Sequence, residues 1–342
     1  MIDSTREEVL DLWHECFDVT PGFTALYFSA KWRPWRARVH REGGRVVASL
    51  LLVPYVAVVH GRRVGLAYVA GACTRAGYRG RGIMTRLVAS SLVDARASGF
   101  ALAALVPAGA GLFDFYRRAG FSAVFDLAVV EERDDPRPDA SLPPTREATA
   151  GEAFAFLSSR VPAGGLRVLH DDADFAAVAS ELFLSGGAIF AALSPGGAIE
   201  GIALAVPDAG KVVVKESAFD TPAARVALSA AVAARWPGYA REWLGVTGGG
   251  VASRPYGMAR VLDVATVARL YAAAFPFARR LFRVTDGVIP ANSCDFLIED
   301  GGARRVRRYA NSPVQEMDIE RLTAFFARAD ALHPPYMNLM MD

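Results

Sequence analysis

A glycine-arginine segment, Tyr78-Arg79-Gly80-Arg81-Gly82-Ile83-Met84, joins an apolar stretch to an amphipathic one. Glycines let the backbone approach a ligand closely, and the first-turn amides and dipole of a helix favour negative charge. The two arginines add cations suited to phosphate oxygens. The segment therefore predicts an anion-binding loop, although a tight turn with solvated arginines explains the bare motif equally well.

Two other kinds of glycine-rich site do not match this segment. It lacks the Lys-Ser/Thr ending of a P-loop, and the second strand and acidic residue of a dinucleotide fold are missing. An RNA-binding Arg-Gly patch needs repeats, whereas one copy stands here.

Composition excludes several classes of protein. A length of 342 residues favours two or three domains, and a net charge of +2 gives no field for nucleic acid or anionic membranes. Three separated cysteines and five scattered histidines show neither a disulfide framework nor metal-ligand spacing. No stretch is apolar enough to span a membrane. We therefore expect a cytoplasmic protein without a bound metal and without nucleic-acid or membrane partners.

The segments around the loop must position it. The pattern predicts helices over 4–17, 84–98 and 112–119, and strands over 46–59, 64–73, 100–106 and 121–130. This order is an α/β plan with a mixed sheet.

Two breaks divide the rest of the chain. Proline and charged residues replace apolar ones in Glu131–Pro144, and three glycines follow at 248–250. Between the breaks the α/β alternation repeats without a glycine-arginine loop. Beyond them the pattern predicts a strand at Met258–Val264 and a closing helix at Met317–Ala329. The tail, Tyr336–Met341, is too apolar for a solvated terminus.

The loop resembles the (Arg/Gln)-x-x-Gly-x-(Gly/Ala) signature of the GNAT acetyltransferase superfamily, except that Met84 stands at its last small position. In that family the loop binds the pyrophosphate of acetyl-CoA, and the preceding strand contacts pantetheine. The resemblance implies acetyl-CoA as co-substrate. It implies these cofactor-binding residues: Ala72, Cys73, Thr74, Arg79, Gly80, Arg81, Gly82, Ile83, Met84 and Thr85.

A second segment, Phe115-Tyr116-Arg117-Arg118-Ala119-Gly120-Phe121, resembles the superfamily's aromatic motif some thirty residues downstream. The tyrosine there commonly returns a proton to the CoA thiolate. A phenol suits this role because its high pKa keeps it protonated. Tyr116 is thus the implied general acid; the simpler alternative is an aromatic side chain packed on the sheet.

The whole layout resembles the Eis-type acetyltransferases. This implies an α/β (α+β) chain of two tandem GNAT-like mixed-sheet domains, at 1–135 and 136–250, followed by a small sterol-carrier-protein-like domain at 251–342. In these relatives the C-terminal carboxylate is the proposed base, which by position is that of Asp342. The alternative is a tail merely packed on the last domain.

The resemblance implies an N-acetyltransferase acting on a small-molecule or peptide amine by direct attack in a ternary complex, and a homo-oligomer, since Eis-type relatives are hexameric. Tyr27, Trp32 and Trp35 are pocket candidates, with Phe113 and Phe115 near the thioester; the alternative is that these aromatic side chains belong to the core. Glu15, Asp18 and Asp114 could face a polycationic acceptor. The alternative function is a non-catalytic CoA-fold protein that serves as a ligand-binding or assembly module.

Overall fold

The computed structural model describes residues 4–133, 141–247, 250–307 and 314–341. Its helices are α1 (Ser4–Cys16), α2 (Pro21–Lys31), α3 (Ile83–Ala97), α4 (Ala110–Arg117), α5 (Ala150–Ser158), α6 (Asp172–Leu184), α7 (Pro222–Arg235), α8 (Val264–Ala274) and α9 (Ile319–Ala327). Short 3-10 turns lie at Pro34–Arg36, Ala76–Tyr78 and Pro290–Asn292.

The strands follow the apolar runs of the sequence. They are β1 (Ala37–Glu42), β2 (Arg45–Val59), β3 (Arg62–Thr74), β4 (Leu102–Leu105), β5 (Ser122–Glu132), β6 (Thr145–Glu147), β7 (Leu166–Leu169), β8 (Ala188–Leu193), β9 (Ile199–Asp208), β10 (Lys211–Phe219), β11 (Ala240–Val246), β12 (Ser253–Val261), β13 (Arg280–Thr285), β14 (Asp295–Glu299), β15 (Gly302–Val306) and β16 (Gln315–Asp318). The predicted elements around the loop are confirmed, with ends shifted by a few residues.

One large mixed sheet runs through most of the chain. Its order is β1-β2-β3-β4-β12-β5-β11-β10-β9-β8-β6, and β7 pairs with β2 beside this path. The pairs β3·β4 and β10·β11 are parallel, and the other pairs in this sheet are antiparallel. A second mixed sheet has the order β15-β14-β13-β16. The predicted mixed α/β class is confirmed, whereas the sterol-carrier-like character of the last segment stays a prediction.

The strand β12 lies far along the chain but sits between β4 and β5. It is antiparallel to both, with Met258 opposite Leu105 on one side and Ala123 on the other. The sequence predicts a strand here as the opening of the third domain. In the structure this strand belongs to the large sheet, so three segments of sequence share one sheet, and the division at 135 and 250 stays a prediction.

Alternate residues of the strands face two cores. On one face α1 and α2 pack with Val53, Tyr55 and Tyr68; on the other face α3 packs with Leu50 and Leu52. This alternation is what a sheet covered on both faces requires. In the described part of the chain, no helix combines the length and apolar character needed to cross a membrane.

The apolar tail is buried, as predicted. The Tyr336 amide donates to Leu166 O at 2.9 Å, and its carbonyl accepts from the Val168 amide at 3.1 Å. Met337 and Leu339 to Met341 belong to the larger core cluster. The tail therefore packs on β7 and on the large sheet as well as on the last segment.

Candidate active site

Two parallel strands diverge at the centre of the large sheet. β3 and β4 pair only from Leu66 to Tyr68, and Tyr68 opposite Ala104 is their last pair. Beyond this point β3 continues to Thr74, and no described strand pairs with residues 69–74 on that side. Because strand amides and carbonyls need partners, this edge can hydrogen-bond a ligand. Ala72, Cys73 and Thr74, the predicted pantetheine-binding residues, lie on it.

The loop after β3 is built to present backbone amides. Gly80 and Gly82 have φ of 75° and 70°, a left-handed conformation that favours glycine. Gly82 caps α3 without a side-chain hydrogen bond, and the first helical bond runs from Arg86 N to Gly82 O at 3.1 Å. The amides of residues 83–85 therefore have no intrahelical acceptor and are free to bind an anion. This donor set fits the diphosphate of acetyl-CoA.

The two loop arginines are anchored by protein groups. Arg79 donates to Thr74 O at 2.9 Å and to Cys16 Sγ at 3.8 Å. Arg81 pairs with Glu42 at 3.0 Å and lies over the Tyr78 ring. The charges of both arginines therefore stay beside the loop. Their role in binding phosphate remains a prediction, because both side chains must leave these protein partners to reach a phosphate.

The bulky position at the end of the signature is accommodated in the core. Ile83 is buried, and the side chain of Met84 packs, partly buried, against the same cluster as Tyr116. Met84 therefore departs from the signature only in having a larger side chain, and that side chain packs against the core. Its backbone amide keeps its place in the first turn of α3.

Tyr116 lies on α4 in the same cluster as Ile83. The ring packs against Phe115 and Phe121, with centroids 5.0 and 5.9 Å away. Burial, with a smaller contribution from Cys73, raises the pKa of Tyr116 to about 12. The hydroxyl hydrogen-bonds to no residue that the structure describes. A phenol in this state is protonated at neutral pH and can donate.

Two cysteines that stand far apart in the sequence meet at this site, a contact that sequence reasoning missed. The neighbouring Cys73 thiol and the Arg79 guanidinium lower the pKa of Cys16 to about 6, while the pKa of Cys73 is raised. Cys16 ends α1, and its sulfur also lies 3.6 Å from Thr74 O. Cys16 is thus a low-pKa thiol beside the free edge of β3.

The carboxylate candidate for the general base, Asp342, lies outside the described residues. The preceding segment approaches the divergence of β3 and β4, because the Met337 side chain packs on Gly257, close to the Leu105 carbonyl at the end of β4. The role of Asp342 remains a prediction.

A cavity of about 1170 Å³ lies between α2, β2, β7, α6 and the tail. The aromatic residues predicted for the pocket do not line it. Tyr27 and Trp32 are buried in the core, and Trp35 is 62% exposed. The aromatic side chains of the amphipathic helices serve packing instead.

The three acidic candidates for a polycationic acceptor do not line the cavity either. Glu15 pairs with Arg75, and Asp114 pairs with Arg117. Asp18 is exposed.

Buried polar groups on the cavity wall form a network that sequence reasoning missed. Lys31 pairs with Asp174, which also accepts from Tyr55 OH at 2.9 Å and contacts His170 Nδ1. His170 Nε2 lies 2.9 Å from the carbonyl of Asn338, so the tail is tied to the network. Burial lowers the pKa of His170 to about 4, so the ring is neutral. These contacts hold the ring in the wall of the cavity.

Comparison with known proteins agrees with this geometry. Residues 1–124 match the family model described as acetyltransferase (GNAT) domain. Among curated proteins nothing matches the chain. In the described residues no three His, Cys, Asp or Glu side chains are grouped to hold a metal ion.

Solved structures match along nearly the whole chain. A protein of unknown function from Enterococcus faecalis V583, a probable N-acyltransferase, is 18% identical with a TM-score of 0.77, covering 95% of this chain and 88% of its own. A GCN5-related N-acetyltransferase from Kribbella flavida is 20% identical, with a TM-score of 0.74 and coverage of 97% and 88%. Eis1 from Mycobacterium abscessus is 17% identical, with a TM-score of 0.70 and coverage of 96% and 88%. These likenesses establish the fold. Residues 1–124 thus resemble an acetyltransferase (GNAT) domain, within a fold that the chain shares with these structures.

Proposed function

We propose that the protein transfers the acetyl group of acetyl-CoA directly to a primary amine in a ternary complex. The observation that carries this proposal is the position of Tyr116, a buried and protonated phenol in the cluster that also holds the start of α3. The free amides of residues 83–85 and the unpaired edge of β3 support it, because they provide donors for a diphosphate and for an amide chain.

Each residue has a definite task in this reaction. The bound thioester supplies an activated acetyl group. The loop amides hold the diphosphate, and the backbone of Ala72 to Thr74 aligns pantetheine. The acceptor nitrogen forms a bond to the acetyl carbon as the C–S bond breaks, and Tyr116 donates its proton to the departing sulfur. The carboxylate of Asp342 is the proposed base for the amine proton.

Desolvation of the acceptor on binding assists by lowering the pKa of its amine. An amine that leaves water for a closed site loses the stabilisation of its charged form, so more of it is neutral and nucleophilic. A weak base then suffices.

Two measurements test the proposal. Isothermal titration should show saturable binding of acetyl-CoA, and release of CoA thiol should depend on an added amine in a panel of polyamines, aminoglycosides and lysine peptides. Absence of acetyl-CoA binding would refute the proposal. Binding without turnover over the whole panel would favour a non-catalytic CoA-fold protein instead.

A further inference from the structure

Arg167 is a buried cation on the wall of the large cavity. It lies on β7 opposite Val58 of β2, and only 7% of its surface is exposed. Among the residues that the structure describes, its side chain makes no hydrogen bond or ion pair, and its Nε is buried without an acceptor. The guanidinium lies over the Tyr336 ring, whose centroid is 5.6 Å away.

A buried guanidinium without a hydrogen bond or ion pair destabilises the folded protein. Removing a charge from water carries a large free-energy penalty unless a partner compensates, and buried arginines are therefore normally paired. Burial lowers the pKa of Arg167, which reflects the same penalty. The cation–π contact with the Tyr336 ring offsets part of this penalty. An anion bound beside Arg167 would compensate the rest of this desolvation penalty.

Two carboxylates on the cavity wall are engaged elsewhere. Asp174 is bound by Lys31, and Glu216 accepts from Tyr336 OH at 2.7 Å. Burial raises the pKa of Glu216 to about 7, so this carboxylate is only partly charged at neutral pH. Glu216 is close enough for its charge to raise the pKa of Arg167, but neither carboxylate accepts a hydrogen bond from Arg167.

Further positive charge faces the same space. Arg63 and Arg167 both lie opposite Val58, on the two strands that flank β2, so all three side chains share one face of the sheet. In the described part of the chain, the wall holds six basic side chains against four acidic ones: Lys31, Arg33, Arg36, Arg63, Arg160 and Arg167 against Asp171, Asp172, Asp174 and Glu216.

We propose that this cavity binds an acceptor amine that also carries a carboxylate or phosphate group, and that Arg167 pairs with this anion. The inference rests on the proposed acetyl transfer. It excludes a bare polycation as the preferred acceptor, because such a molecule leaves Arg167 unpaired and adds like charge.

The spacing of the sheet indicates the length of the acceptor. Pro54, which lines the cavity on the same face as Val58, is opposite Ala67, one residue before the point where β3 leaves β4. From Val58 to Pro54 the strand rises by about 13 Å at ~3.3 Å per residue. An acceptor anchored at Arg167 must span most of this distance to bring its amine to the thioester, so long amino acids should react better than short ones.

The test compares ω-aminobutyrate, ω-aminooctanoate and ω-aminododecanoate with the amino alcohols of the same lengths, and with an ω-aminoalkyl phosphonate. In the wild-type protein we expect kcat/KM for the longer carboxylates to exceed that for the matching alcohols by about tenfold or more, as a charged hydrogen bond provides. The phosphonate arm shows which anion is preferred. Equal values for carboxylate, phosphonate and alcohol would overturn the inference without any variant.

Variants locate the effect. Arg167→Gln should remove the advantage of the anion and leave the alcohols unchanged, and Arg167→Lys should retain part of it. Arg146→Gln is the control, because Arg146 is paired with Glu152 at 2.7 Å and does not line the cavity. Equal behaviour of the Arg167→Gln and Arg146→Gln variants, with melting temperatures near that of the wild type, would refute the role of Arg167.

Direct binding separates this inference from the proposed reaction. Calorimetric titration of ω-aminooctanoate into the protein, with CoA present, should give a Kd about tenfold or more lower than that of the amino alcohol. If this preference holds while no amine is acetylated, the proposed function fails and the anion site stands. If amines are acetylated with no preference for an anion, the anion site fails and the proposed function stands.

Discussion

Arg260 donates a 2.6 Å hydrogen bond to Asp286, and the side chains of both residues are fully buried. Asp286 also accepts from the amides of Val288 and Ile289 and from Asn292, each at 2.9 Å. Arg260 Nε donates to the Ala119 carbonyl at 2.7 Å, three residues after Tyr116. This pair links β12 and the last segment of the chain to the end of the helix that holds the proposed acid.

Replacing Asp286 by Ala should destabilise the protein strongly. The change leaves the Arg260 charge buried without its partner, and such losses cost about 3–5 kcal/mol. The free energy of unfolding from urea titration measures this. Arg279→Ala is the control, because Arg279 forms an exposed ion pair with Asp300 and its loss should change stability by less than about 0.5 kcal/mol. A comparable loss in both variants would contradict the assignment.

Replacing Tyr116 by Phe should lower kcat by about a hundredfold or more, the usual range for a general acid, with little change in KM. Phenylalanine keeps the packing against Phe115 and Phe121, so melting temperature should change little. Steady-state kinetics with acetyl-CoA and a responsive amine provide the measurement. Tyr239→Phe, at an exposed position, is the control. An unchanged kcat would remove Tyr116 from the mechanism.

Replacing Gly82 by Val should weaken acetyl-CoA binding by about tenfold or more, because a β-branched residue resists the positive φ that aligns the first-turn amides. Calorimetry measures the Kd. Gly77→Val is the matched control in the same loop, since a Cβ there would meet no atom within 4 Å and its φ is not positive. Retained affinity in the Gly82 variant would argue against the loop as the diphosphate site.

Alkylation of Cys16 by iodoacetamide should rise with pH through a midpoint near 6, because the thiolate is the reactive form and exists above the pKa. Cys294, whose pKa is raised by burial, should stay slow through pH 8. Mass spectrometry of labelled peptides distinguishes them. Cys73→Ala removes the neighbouring thiol that lowers the pKa of Cys16 and should move the Cys16 midpoint upward; an unmoved midpoint would exclude this cause.

The sequence predicts those features that depend on neighbouring residues. The loop, α3 and the helix of Tyr116 follow from glycine positions and apolar spacing within short stretches. The contact of Cys16 with Cys73 requires α1 to lie across β3, which no local pattern contains. Arg167 lies on a four-residue strand that the sequence pattern does not predict. Only its burial in the folded protein marks it as a candidate ligand-binding residue.

Two of the aromatic pocket candidates, Tyr27 and Trp32, lie in the core for a related physical reason. Tyr27 and Trp32 have the side chains of a ligand-binding wall, but amphipathic helices put large side chains into the sheet face that they cover. The position of β12 in the sheet cannot be predicted from the sequence either, because the pattern that predicts a strand does not show which other strands it pairs with. Only long-range pairing places Ser253–Val261 between β4 and β5.

That placement has a consequence for synthesis on the ribosome. The strands β4 and β5 are made more than a hundred residues before β12, which fills the space between them. Until residues 253–261 leave the exit tunnel, both strands present open edges of the kind that recruit other chains. The first 133 residues are therefore synthesised early, but two of their strands gain their shared partner late, and a polypeptide stopped near residue 133 would keep these edges exposed and tend to aggregate.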